Sequence, residues 1–150
     1  MTSVVDVAAY ILDKYGPMTT MKLEKLAYYS QAYSLSRGNG VPLFEEDFQA
    51  WVNGPVAPEL YHEHRGKFLL HRGELAHALA GHAPLSASEK RLVDTVCEKL
   101  SPLTGNQLSE RTHAEKPWRD ARIGCGPSDR CEAVISKQAI RHYYSAHPVV

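Results

Sequence analysis

The chain has 150 residues, of which 43% are apolar and 23% charged. That length suits one domain with a real core and is short for two, and the balance excludes disorder over most of the chain. Lys plus Arg and Asp plus Glu number 17 each, so the basic excess of a dedicated nucleic-acid binder is missing.

Cys97, Cys125 and Cys131 are an odd set without a secretion signal. A disulfide framework is therefore not expected, and the thiols are read as reduced. No basic segment followed by an apolar one opens the chain, and no run approaches the ~18 apolar residues of a bilayer span. A soluble, cytoplasmic protein is expected.

Ser3 with Asp6 forms a capping-box pattern, and Val4, Ala8, Ile11, Leu12 and Tyr15 follow at helical spacing. The first helix is predicted from Val4 to Tyr15, stopped by Gly16-Pro17. Thr19 or Thr20 caps a second helix to about Arg37, apolar or aromatic nearly all round from Leu26 onward. Such a helix is central to its domain, and its tyrosines, Tyr28 and Tyr29 among them, are read as core with partnered hydroxyls.

Gly38 to Pro42 reads as a loop and Phe44 to Val52 as an extended segment, with Phe48, Ala50 and Val52 on one face. Asn53-Gly54-Pro55 is predicted to turn the chain, and Pro58 suits the first position of a short helix ending near His64. In the stretch from Arg65 to Pro84, Phe68-Leu69-Leu70 suggests a second short strand and Glu74 to Ala80 a helical turn. Ser86 with Glu89 caps the next helix, whose stripe is Leu92, Val93, Val96, Cys97 and Leu100, with Asp94 outside. Thr104 with Gln107 starts another, ending near Glu115. Pro117-Trp118 opens a short turn to about Arg122, and Ile123 to Glu132 is a loop. Ser136 caps a last helix to about Ala146, with Ala139, Ile140, Tyr143 and Tyr144 inward. The sum is one compact, mainly α domain over residues 1–150, with about six helices and a small two-stranded β element.

The chemistry-bearing residues form no complete catalytic kit. His62-Glu63-His64 lacks the i, i+4 spacing of a zinc helix, and Cys125 and Cys131 stand too far apart for a zinc knuckle, so the histidines are read as solvated. There is no glycine-rich phosphate loop, and no cofactor or metal is expected. Arg111, Arg119 and Arg122 are read as a solvated basic face. His113, just before Pro117-Trp118, is the one candidate general base, with Glu115 near in sequence; a structural histidine is the simpler reading.

Three segments stand out together: Lys25-Leu26-Ala27-Tyr28-Tyr29-Ser30-Gln31-Ala32, Phe48-Gln49-Ala50-Trp51-Val52-Asn53-Gly54-Pro55-Val56, and Leu108-Ser109 through Thr112-His113 to Pro117-Trp118. In this order the pattern resembles the Panacea domain, the SocA/GepA-like, phage-associated antitoxin family, from about Thr20 to Tyr144. The resemblance implies an antitoxin that neutralises a toxin encoded beside it by direct binding. One type of relative works instead as an adaptor delivering its toxin to a protease, and known toxins include alarmone-synthetase-like enzymes. An enzyme with a pocket around His113 and a DNA-binding repressor are the rival readings. Tyr28, Tyr29, Trp51, Gly54, Pro55 and Trp118 are read as scaffold, and the shared or neighbouring polar positions Lys25, Asn53, His113 and Arg122 as candidate partner contacts.

Overall fold

The computed structural model describes residues 2–37 and 40–150; Gly38 and Asn39 of the expected loop lie outside the described residues. The first helix, α1 (Val4–Tyr15), has the expected bounds, and its capping box is made by Ser3 and Asp6 side chains. A two-residue strand β1 (Met18–Thr19) leads into α2 (Thr20–Arg37), whose first turn is closed by Thr19 Oγ1 accepting from the Lys22 N–H at 3.2 Å. α2 is buried on nearly every side, because α1, α4 (Ala87–Leu100), α5 (Gly105–His113) and α7 (Lys137–Ala146) all pack on it.

The remaining elements are β2 (Phe48–Trp51), β3 (Gly54–Val56), α3 (Pro58–His64), β4 (Leu69–Leu70), a 3-10 turn (Ala76–Leu79), α6 (Lys116–Ala121) and β5 (Val134–Ile135). The fold is mainly helical, with seven α-helices among the described residues. The β structure is larger than a two-stranded element. β1 pairs antiparallel with β4, and β2 lies between β3 and β5 in a three-stranded antiparallel sheet.

The hairpin turns one step earlier than its sequence suggests. Trp51 pairs with Gly54, so Val52-Asn53 form the turn and Gly54-Pro55 belong to the returning strand. Val52 consequently leaves the face shared by buried Phe48 and Ala50 and is exposed. Phe68 is exposed beside β4, Ala139 is exposed on α7, and Ile140 and Tyr144 take the inward positions. Pro117 lies in the first turn of a helix that begins at Lys116, rather than opening an isolated turn.

Two polar hubs join the helices, a buried one at Glu115 and a half-buried one at Asp94. Glu115 Oε1 accepts from Tyr29 at 2.6 Å and Tyr144 at 2.7 Å, while its Oε2 accepts from Arg111 Nε at 3.2 Å. This ties α2, α5 and α7 together and engages both oxygens of the carboxylate that stands near His113 in sequence. Asp94 is the second hub: it accepts from Tyr10, Tyr15 and Lys14, fastening α4 to α1 rather than facing open solvent. Cys125 and Cys131 are joined in a disulfide, correcting their reading as reduced thiols. Cys97 is a free buried thiol, pushed up to about 12 by burial and then by Asp94.

Candidate functional site

The head of α2, the β2–β3 hairpin, α3 and the end of the disulfide loop wall a cleft of about 590 Å³. Glu24 and Lys25 form its floor, Trp51, Tyr61 and His64 its walls, and Asn53, Arg65 and Arg130 its mouth. The walls are fixed by partners distant in sequence. Glu24 Oε1 accepts from the Ala57 N–H at 3.0 Å, and Oε2 lies 2.8 Å from His64 Nε2. Ala57 is the cap residue of α3 and has no side chain to serve that end, so the α2 carboxylate supplies the acceptor and a favourable charge at the helix N-terminus. His64 is 4% exposed, which corrects its reading as a solvated histidine.

Lys25 is 1% exposed and donates to the Pro55 carbonyl at 3.1 Å. Burial pulls its ammonium down to about 8 despite the opposing Glu24 charge. Gly54 faces it at φ +115, and a Cβ there would collide with Lys25 Cε and crowd Thr112 Oγ1. The ring of Trp51 meets Tyr61 edge-on at 4.8 Å, and its Nε1 donates to Gln49 Oε1 at 2.8 Å. Trp51 is half-buried and lines the cleft, in contrast to a fully internal tryptophan.

Behind the hairpin lies a second group. Trp118 Nε1 donates to the Trp51 carbonyl at 2.8 Å, and His113 stacks on Trp118 with centroids 4.0 Å apart. His113 Nε2 is buried without a hydrogen-bond partner, and burial, then the Lys25 charge, lowers the pKa of the ring. Arg122 is 6% exposed and donates to the carbonyls of Ala50, Gly126 and Asp129, so it pins the disulfide loop to β2 instead of joining a solvated basic face.

The four candidate contact residues therefore divide. Lys25 and Asn53 line the cleft, Asn53 exposed and Lys25 beneath it, whereas His113 and Arg122 lie outside its lining. Tyr28 and Tyr29 are in the core, and Gly54 and Pro55 are buried in the returning strand. Glu24, His64, Arg65 and Arg130 escape sequence reasoning as cleft residues. Only Glu24 leaves a trace there, as an acid beside Lys25 in a helix with almost no polar face. A second cavity of about 380 Å³, mostly apolar, lies between α1 and the segment around residues 73–85.

The sequence matches the family model for the antitoxin SocA-like Panacea domain over residues 23–119, more than half of the chain. The chain belongs to this family. No curated protein and no solved structure matches it. The Panacea match takes in the cleft floor, the hairpin, α3 and the His113–Trp118 stack, and it stops before Arg122, the disulfide loop and α7. Membership supports an antitoxin role and a toxin partner. No helix among the described residues is long and apolar enough to cross a membrane.

Proposed function

We propose that the chain is the antitoxin of a toxin–antitoxin pair, acting in the cytoplasm without catalysis and neutralising its cognate toxin by direct binding. The observation that carries this reading is the Panacea match over residues 23–119, which contains most of the walls of the cleft. Asn53 at the mouth and Lys25 on the floor are the contact residues the reading favours. His113 and Arg122 act one step back, His113 by holding Trp118 under the hairpin and Arg122 by holding the loop that carries Arg130. Residues 1–150 work as one unit, since α7 packs on α2 and Tyr144 completes the Glu115 hub. A general base needs a reachable nitrogen, and the Nε2 of His113 is buried with its ring stacked on Trp118, which fits a packed ring better than an acid–base residue.

The test is coexpression with the product of the adjacent reading frame. Growth arrest by that product alone, relief on coexpression, and co-purification of the two chains support the reading. Arrest that persists with this chain present at equal level contradicts it.

A further inference from the structure

The cleft carries a charge imbalance with a chemical meaning. Three cations, Lys25, Arg65 and Arg130, line it against one carboxylate, Glu24. Both oxygens of Glu24 are already engaged, by Ala57 and by His64. The Lys25 ammonium has three protons to donate and one acceptor, the Pro55 carbonyl. Arg130 has only an exposed pairing with Glu132 at 2.9 Å, the kind worth little in water and readily exchanged. Arg65 is exposed and makes no salt bridge among the described residues. The charge left over in the cleft is thus cationic.

The apolar surroundings narrow the occupant further. Val52 lines the cleft and is 37% exposed, and the Trp51–Tyr61 pair forms a wall. Phe68, 79% exposed, is held next to the α2 edge of the cleft by its carbonyl, which accepts from the Thr20 N–H at 3.0 Å. A ligand for this surface needs a carboxylate for the cations and an apolar group beside it for the aromatic wall. A polyphosphate strand suits it less well, because the chain is neutral and the cleft floor itself holds an acid.

We propose that the cleft is the toxin-docking site and that it receives an Asp or Glu side chain of the toxin flanked by an apolar residue. The proposal rests on the antitoxin reading and adds the chemistry of the contact. Arg65 and Arg130 meet the carboxylate at the mouth, Lys25 supplies positive potential from below, and Asn53 offers its amide at the rim. Charge reversal at the two arginines should weaken binding strongly, since like charges facing each other across an interface disfavour the complex.

The experiment measures binding of the purified adjacent-frame product by titration calorimetry to the wild type, R65E, R130E and the conservative R65K. Arg65 and Arg130 are exposed, so these variants should keep the wild-type melting curve, which is checked alongside. The expected result is a loss of affinity of about tenfold or more in each reversal, retention in R65K, and recovery when one toxin Asp or Glu is changed to Lys opposite R65E. Wild-type binding that both reversals leave unchanged would overturn the cleft proposal and leave the antitoxin reading standing. Absence of wild-type binding would remove both. A single-stranded RNA 20-mer that binds the wild type more tightly than the toxin does, and is released by R65E, would also overturn it.

Discussion

The Lys25 side chain occupies the space that a Cβ on residue 54 would need. Gly54 sits at φ +115, and a built Cβ meets Lys25 Cε and Thr112 Oγ1. Two penalties therefore fall on one substitution, backbone strain and overpacking against a buried chain. Gly54→Ala should cost about 3 kcal/mol, a fall in Tm of roughly 6–12 °C for a chain of this length. Calorimetric melting checks it; an unchanged Tm would mean that the hairpin and Lys25 adjust freely around one another.

Lys25 also makes stability depend on alkaline pH. Its ordinary value is 10.5 and burial lowers it to about 8. Between those two values the unfolded chain holds the proton and the folded chain does not, so stability rises with pH across that window. Compared with Lys25→Met, the wild type should gain on the order of 1–2 kcal/mol between pH 7.5 and 9.5. Urea unfolding at a series of pH values measures the difference. His113 acts in the same sense at lower pH: with a depressed value in the folded state, it should make the protein lose stability as pH falls below about 6.5. His113→Gln should flatten that slope.

Glu115 holds the hydroxyls of Tyr29 and Tyr144 on one oxygen and Arg111 on the other. Burial, followed by the Glu115 charge, pushes the Tyr29 hydroxyl well above its usual value, so it remains a donor throughout the working range. Glu115→Ala takes the acceptor from the buried Tyr29 hydroxyl and leaves Tyr144 with the Tyr28 hydroxyl and Arg111 with the Val149 carbonyl alone, and should cost about 2–4 kcal/mol. Tyr144→Phe removes one donor and should cost about 1–2 kcal/mol. Equal small losses in both variants would show that the hub is not the junction of α2, α5 and α7.

Local chemistry was legible in the sequence and long-range chemistry was not. The capping boxes at Ser3, Ser86 and Thr104 placed helix starts well because both halves of each box lie within four residues. The apolar run Phe68-Leu69-Leu70 announced β4, whereas the two-residue strands β1 and β5 are defined by distant partners, Met18 with Leu70 and Phe48 with Ile135, and leave little periodicity to read. Residue polarity misled for the same reason. Asp94, His64 and Arg122 read as surface groups, yet each has its partners on a distant element or on a loop that folds back over it. The family pattern located the hairpin and the Trp118 segment, whereas the cleft itself depends on Glu24 meeting His64, 40 residues away.

Arg122 forks between β2 and the disulfide loop, through the carbonyls of Ala50, Gly126 and Asp129. A lysine keeps the charge and loses the planar fork. Arg122→Lys should cost about 2 kcal/mol and raise amide exchange across residues 123–132, read by hydrogen–deuterium exchange. Exchange rates equal to wild type would show that the disulfide alone orders the loop.

The central claim is that this chain silences its partner by occupying it. The most direct measurement titrates the purified chain into the purified toxin, with no protease present, and follows the toxin's own activity. Inhibition that becomes complete at a fixed stoichiometry, and reverses when a cleft-reversed variant replaces the wild type, is the predicted result. Full toxin activity in a large excess of the chain would contradict the account.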